Sequence, residues 1–364
     1  MRINKFLAFD MFGYKNTIVR SDMEEMLQAP LPWDRLVGKT CLVTGANGMI
    51  ATYLIYLFMS LVREKGMDVR VVALSRNRKV SEGLFADFLD DPHFELLIQD
   101  VCMPIHLEGQ LDYIFHFAGN ASPYYIKNDP VGIMKSNLLG TINVLELAEE
   151  KNSKKVVFAS TREVYGENKD ETSLTETSFG RMDCLDDRSC YPESKRAAET
   201  LCKSYFLQHG VSFNAVRIAH TYGPGMRLMN DGRVMSDLLS FVTQGRDIVL
   251  KSPGEALRAF CYLTDAVLGL MYILFYGDNS SAYNLSNETE EISVRDLAEK
   301  LIRICSDKEL RVRFDIPEIQ SGVYCDYKRV GLDTSRLESL GWRPQVSLEG
   351  GLRRVLGIYK SSED

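Results

Sequence analysis

Cys41-Leu42-Val43-Thr44-Gly45-Ala46-Asn47-Gly48-Met49-Ile50-Ala51 decides the fold, because an apolar run breaks into a turn with two glycines and a second apolar run follows at once. In such a unit Gly45 permits the tight turn and Gly48 lets the backbone approach a pyrophosphate. The small residue at position 51 lets helix and strand pack closely. The helix opening at Met49 and Ile50, with Asn47 just before it, offers unbonded N–H groups to phosphate oxygens. The stretch therefore predicts a strand, a dinucleotide-binding turn and a helix in that order.

Working outward, the same rhythm recurs. Short β-rich apolar runs begin near residues 69, 94, 111, 154 and 212, each bounded by turn residues, as strands buried on both faces are. Helical stretches lie between them, notably 49 to 65, 131 to 151 and 191 to 209. Strand and helix alternating this way predict an α/β fold, a doubly wound parallel sheet of the Rossmann type. Beyond Tyr222 the rhythm loosens at Gly223, Pro224 and Gly225, and helices are expected near 233 to 244, 293 to 306 and 347 to 360. The expected organisation is an N-terminal extension over 1–37, a dinucleotide-binding domain over 38–222 and a smaller α/β substrate domain over 223–364.

Composition bounds the function. With 45% hydrophobic and 26% charged residues among 364, the chain can bury a substantial core. A formal net charge of −7 argues against a general affinity for nucleic acid, which demands a basic face. The eight cysteines form no CxxC pair and several lie inside apolar runs, so they read as reduced core residues and no metal site is expected. Asp10 interrupts the apolar N-terminal stretch, and no small-residue cleavage site follows. The longest apolar stretch, 49 to 62, is too short for a bilayer and contains Thr52 and Ser60. These features lead to the expectation of a cytoplasmic enzyme without membrane or nucleic-acid partners.

A cofactor lacking a 2′-phosphate usually meets an acidic residue at the end of the second strand. Here Ser75-Arg76-Asn77 stands there, and an arginine beside the ribose favours NADP over NAD without deciding between them. Asp100 and Val101, after the third strand, are placed to contact the adenine.

The catalytic pair has to be chosen among three YxxxK matches, Tyr165/Lys169, Tyr324/Lys328 and Tyr191/Lys195. Gly166 and Asn168 give the first a loop character, and the second has no cofactor motif nearby. In the third, Pro192 suits a first helical turn, and Ala197, Ala198, Leu201, Cys202 and Tyr205 continue an apolar stripe. Tyr191 and Lys195 then share one helix face. A lysine charge beside the phenol, with an oxidised nicotinamide, would favour the phenolate and make Tyr191 a base for a substrate hydroxyl. Upstream, Ser160 and Thr161 form a hydroxyl pair at the carboxyl edge of the sheet, where ligands bind in such folds.

TGANGMIA (44 to 51), HFAGNAS (116 to 122), STREVYG (160 to 166) and YPESK (191 to 195) resemble the extended short-chain dehydrogenases that act as nucleotide-sugar epimerases, dehydratases and decarboxylases. The resemblance runs from about residue 38 to the C-terminal helix and is strongest to the UDP-glucuronate decarboxylases, through ASPYYIKNDP (121 to 130), YGPGMRLMNDGRVMSDLL (222 to 239) and LRAFCYLTDAV (257 to 267). It implies that Thr161 hydrogen-bonds the sugar 4-hydroxyl, Tyr191 removes its proton and Lys195 binds the cofactor ribose. It further implies that Asn137 steadies the active-site helix, that Ala118 and Gly119 line the cofactor, and that Ser122, Arg233 and Arg258 face the nucleotide diphosphate or the sugar. Glu163 matches a glutamate kept near the sugar C5.

The chain departs from the pattern at Arg162, where the decarboxylases carry serine and the 4,6-dehydratases aspartate. An arginine holds its protons too tightly to serve as an acid for a departing hydroxyl, which counts against dehydration. It suits a uronate carboxylate. The expected reaction passes through a transient 4-keto sugar, with decarboxylation favoured and 4,6-dehydration or epimerisation as alternatives. A non-catalytic dinucleotide-binding sensor or scaffold is the alternative of another class. The resemblance also implies a homodimer formed through the helices near 131 to 151 and 191 to 209.

Overall fold

Seven strands of the computed structural model form one sheet, and the described residues are 12–168, 171–228, 231–305, 309–316 and 330–360. In chain order the strands are β1 (Lys39–Thr44), β2 (Val69–Ser75), β3 (Phe94–Ile98), β4 (Tyr113–His116), β5 (Lys155–Thr161), β6 (Phe213–Ile218) and β7 (Ser281–Leu285). Their order across the sheet is β7-β6-β5-β4-β1-β2-β3, and every neighbouring pair is parallel. From β1 the chain winds outward through β2 to β3, then crosses back to β4 on the other side. The connections therefore diverge between β1 and β4, where ligands bind in open α/β sheets. The predicted glycine turn leaves β1 at this point.

Helices cover both faces. One layer holds α1 (Thr17–Leu27) and α2 (Met49–Lys65). Every residue of α2 from Ala51 to Leu61 is buried, because the sheet lies on one side and α1 and the helix 263–276 on others. A helix enclosed on all sides gains from being apolar all round, which explains MIATYLIYLFMSLV. Gly66, in the left-handed region at φ 63°, ends it. A short α3 (Arg78–Leu84) follows β2, capped by the Asn77 side chain. The opposite layer holds α4 (Pro123–Asn128), α5 (Pro130–Glu150) and α6 (Cys190–His209). α5 starts with proline at its first position and Asp129 capping the Gly132 N–H, and α6 ends on left-handed Gly210.

Beyond β6 lie α7 (Val234–Thr243), α8 (Leu263–Tyr276), α9 (Val294–Ile304), α10 (Ser335–Ser339) and α11 (Leu348–Lys360). Helices α7, α9 and α11 share a separate apolar cluster containing Leu239, Leu297 and Leu352, which forms the core of the smaller lobe. The boundary expected at residue 222 is crossed by the sheet itself, because β7 pairs with β6 in parallel from Ser281 opposite Asn214 to Leu285 opposite Ile218. Helix α8, which precedes it, packs in the same core as β1.

The described part of the N-terminal extension, from residue 12, is bound into this body. Asp22 on α1 is fully buried and accepts hydrogen bonds from Tyr53 of α2 (2.9 Å), Tyr262 (2.8 Å) and Arg354 of α11 (2.6 Å). One carboxylate thus joins three distant parts of the chain.

Candidate active site

The glycine turn has the shape its sequence predicts. Gly45 takes φ 66°, and a Cβ there would lie 2.8 Å from the Ala118 backbone nitrogen, so only glycine lets β1's turn pass the loop after β4. Helix α2 begins at Met49 with Gly48 as its N-cap and no side-chain cap, which leaves the N–H groups of Met49 and Ile50 for a ligand. Asn47 and Gly48 are exposed beside them. At Gly119 a Cβ would fall 2.4 Å from Asn137 Oδ1. These two close approaches form a cradle that any side chain would fill, which suits a dinucleotide pyrophosphate and nicotinamide ribose.

Beneath the cradle a chain of hydrogen bonds joins three elements. Thr44 Oγ1 accepts from the Ala118 N–H (3.2 Å) and is hydrogen-bonded to His116 Nδ1 (2.7 Å). Thr141 Oγ1 donates to the Asn137 carbonyl (2.6 Å), so it accepts from His116 Nε2 (3.1 Å). The partners thus fix one neutral tautomer of His116, with the proton on Nε2. Burial pushes the His116 imidazole down to about 3, with the Lys195 charge adding to the shift. The chain continues to the helix carrying Tyr191, because Asn137 Nδ2 donates to Ser194 Oγ (2.8 Å). Asn137 Oδ1 is buried without a protein partner and turned toward Gly119.

Tyr191 and Lys195 are both buried, one turn apart on α6. The Lys195 ammonium donates to the Ala159 carbonyl of β5 (2.7 Å) and lies 4.6 Å above the Phe158 ring centre. Burial lowers its pKa to about 8. Burial also raises the Tyr191 phenol well above its ordinary value, and the nearby Glu163 raises it further, while a hydrogen bond with Thr161 and the charge of Arg233 act the other way. The lowering expected from Lys195 together with an oxidised nicotinamide is a joint effect; in the protein alone the ammonium is turned to Ala159 and burial dominates at the phenol. Thr161, Glu163 and Arg233 thus lie near enough to Tyr191 to act on its hydroxyl.

Thr161 caps the 3-10 turn Arg162–Tyr165, accepting from the Glu163 N–H (3.2 Å). Glu163 is exposed to solvent, yet enough protein surrounds its carboxyl to raise it, with Arg188 and Arg162 offsetting part of that shift. Arg162 reaches toward the segments that hold Val330 and His220. It donates to the Val330 carbonyl (3.1 Å) and approaches His220 Nε2 (3.5 Å). Ser160, the other half of the expected hydroxyl pair, faces away from Thr161's side and donates to Glu199 (2.5 Å). Side chains alternate along a strand, so only Thr161 of the two can face the cleft.

Ser122 donates to the Asp231 carbonyl (3.0 Å), and the buried Asp231 carboxylate holds Arg233 through Nη2 (3.2 Å) and Nε. Arg258 lies on a two-stranded ribbon, Leu257–Ala259 with Glu291–Ser293, and donates to the Leu257 carbonyl (2.7 Å). At the adenosine end Ser75 is buried, accepting from Ser81 Oγ (2.8 Å), and the exposed Arg76 pairs with Asp100 (3.6 Å). Val101 packs its side chain against Gly140 of α5. Two residues at the site carried no sequence signal. Asp231, which fixes Arg233, sits in an irregular loop. Arg188, beside Glu163, precedes α6 without any characteristic spacing.

The rejected Tyr165 is buried and donates to Asn284 (2.5 Å). Its partner Lys169 and the pair Tyr324/Lys328 lie outside the described residues, as does Cys325. Among the described residues no group of three or more His, Cys, Asp or Glu side chains is placed to hold a metal ion, and no helix is long and apolar enough to cross a membrane.

Comparison with known proteins identifies the relatives of this chain. The family described as NAD dependent epimerase/dehydratase matches residues 41–286. UDP-glucuronic acid decarboxylase 6 of Arabidopsis thaliana is 35% identical over 313 residues, covering 85% of this chain and 86% of its own. UDP-glucuronic acid decarboxylase 1 of Xenopus tropicalis is 34% identical over 326 residues, covering 88% of this chain and 72% of its own. Among solved structures, UDP-glucose 4-epimerase of Thermotoga maritima superposes with a TM-score of 0.76 at 22% identity, over 89% of this chain and 100% of that one. A dTDP-glucose 4,6-dehydratase of Streptomyces venezuelae with NAD bound gives 0.74 at 24% identity, over 89% and 98%.

Proposed function

The chain belongs to the NAD dependent epimerase/dehydratase family, and on that premise we propose that it is a nucleotide-sugar enzyme that oxidises a sugar 4-hydroxyl and decarboxylates a uronate at the ketone stage. The observation that carries the reading is that Thr161, Glu163 and Arg233 lie near enough to Tyr191 to act on its hydroxyl, at the sheet edge beside the glycine cradle.

The cradle fits a nicotinamide dinucleotide, held at Gly45, Asn47, Gly48, Met49 and Ile50 by its phosphates and at Ala118, Gly119 and Lys195 by its nicotinamide ribose. When bound in its oxidised form it supplies a hydride acceptor and a positive charge. Tyr191 requires that charge, because burial and Glu163 hold its phenol protonated. With the phenol eased toward ionisation, Thr161 orients the sugar hydroxyl and Tyr191 takes its proton. A uronate carboxylate next to the new 4-ketone is that of a β-keto acid. The bond to the carboxyl carbon breaks, carbon dioxide leaves, and the electron pair passes to the ketone oxygen. Glu163, its carboxyl raised by burial, is placed to move the proton at the adjacent carbon. The cycle would carry no net redox change, the C4 hydride passing to a bound cofactor as the ketone forms and coming back afterwards. Arg162 and Arg188 supply positive charge on this side of the cleft, which suits an acidic sugar and not the loss of a hydroxyl.

NAD is the cofactor favoured here. The sequence argument for NADP rests on Arg76, and its pairing with Asp100 takes up the charge that a 2′-phosphate would use. The relatives' reactions support decarboxylation over epimerisation, which would leave Glu163 without a task. Two copies pairing through α5 and α6 would cover Val131, Met134 and Leu139 of α5 and Leu207 of α6, all exposed in one chain. Tyr191→Phe tests the assignment. Turnover of UDP-glucuronate should fall about a thousandfold while NAD still binds. Turnover within a few-fold of the parent would remove Tyr191 as the base.

A further inference from the structure

Behind the candidate active site lies a second polar cluster that the proposed reaction does not use. Glu199 sits one helical turn beyond Lys195 on α6. Arg217 of β6 grips it with two parallel bonds, Nε to Oε1 (3.1 Å) and Nη2 to Oε2 (2.8 Å). Ser160 of β5 donates to the same Oε1 (2.5 Å). Arg217 is fixed in turn by the Glu176 carbonyl (2.9 Å) and by stacking 4.8 Å from the Tyr165 ring centre. Ser160 of β5 and Arg217 of β6 thus fix the Glu199 carboxylate one helical turn from Lys195.

The surroundings of Lys195 leave few other sources of negative charge. From β5 it meets the Ala159 carbonyl and the Phe158 ring, from β4 the neutral His116, and from α5 the uncharged Asn137 amide. On α6 itself are Tyr191, Cys202 and Glu199. Burial keeps the Tyr191 phenol and the Cys202 thiol uncharged near neutral pH, so neither offsets the ammonium there. Arg217, bonded to the same carboxylate from β6, limits its effect on Lys195.

We propose that Glu199 is a positioning residue, the fixed counter-charge that keeps Lys195 protonated under the nicotinamide ribose, with Arg217 setting how much of that charge Lys195 feels. The inference rests on the assignment of Lys195 to the active site.

Its test needs no substrate. Lysine ε-carbons are isotopically labelled in the full-length protein with NAD added, and the Lys195 signal is identified by its loss in Lys195→Arg. Its titration midpoint is then compared across variants. Glu199→Gln keeps the shape and removes the charge, so the midpoint should move down by about half a unit or more. Arg217→Met leaves the carboxylate undiluted, so the midpoint should move up. Ser160→Ala keeps both charges and should leave it in place. A purely structural cluster predicts no such opposition of signs. Unchanged midpoints, or Glu199→Gln and Arg217→Met shifting in the same direction, would overturn the proposal. If Glu199→Gln fails to fold, an upward shift in Arg217→Met supports it, and no shift or a downward one overturns it. Failure of the parent protein to turn over any nucleotide sugar would sink the assigned reaction and leave this titration result standing.

Discussion

At the scale of single residues, Tyr191 is a poor base until something positive arrives. Burial raises its phenol and Glu163 raises it further, so neither the helix nor Lys195 activates it alone. Lys195 adds a limit from the alkaline side. Its pKa is lowered to about 8 by burial, so the ammonium is present below that value and is lost above it. Turnover should therefore decline as pH rises past about 8, measured as kcat against pH with saturating nucleotide sugar. A plateau continuing to about pH 10, the ordinary range of lysine, would contradict this assignment. Gly119 offers a second check. Its missing side chain leaves room beside Asn137, so Gly119→Ala should weaken NAD binding by about tenfold or more, or ~1.4 kcal/mol, by calorimetry. Unchanged affinity would mean that the cradle is not used.

At the scale of elements, the strands and helices that follow the glycine turn were legible because strand runs buried on both faces and helices with capping signals leave clear patterns. The expected helices 49 to 65, 131 to 151 and 191 to 209 correspond to α2, α5 and α6 within a residue at each end. Helix α8 and strand β7 were not legible. α8, LTDAVLGLMYILFY, is apolar on nearly every side because it packs between the sheet, α1 and α2, so it shows no helical period. β7, SAYNL, is short and polar at its edge. The N-terminal helix α1 was also missed, since its buried face is interrupted by Asp22, whose partners Tyr53, Tyr262 and Arg354 are remote in sequence. Removing one partner of a buried charged pair leaves the other exposed to its desolvation cost. Asp22→Ala should thus lower unfolding stability by about 3 kcal/mol in urea titration, and a loss below ~0.5 kcal/mol would show that α1 is not bound through this carboxylate.

Within the site, YPESK was legible because helical spacing alone puts Tyr191 and Lys195 on one face. Arg162's direction was not, since its partners Val330 and His220 come from segments with no regular pattern. The same holds for Asp231, whose hold on Arg233 depends on a loop conformation that no periodicity encodes.

For the whole molecule, the parallel sheet brings the carboxyl ends of β1, β4 and β5 to one edge, and α7, α9 and α11 build a smaller lobe around a core of its own. The exposed apolar residues of α5 and α6 lie on the outer side of the same layer, so pairing would stiffen the helix that carries Tyr191. Light scattering should give twice the chain mass, and a charged residue at Leu207 should shift the mass toward the single chain. The central claim is tested most directly by incubating the purified protein and NAD with UDP-glucuronate and other nucleotide sugars, then measuring carbon dioxide and the product sugar. Release of one carbon dioxide per UDP-glucuronate consumed, with no net reduction of NAD, is the predicted result. Reduction of simple ketones with every nucleotide sugar left intact would contradict it.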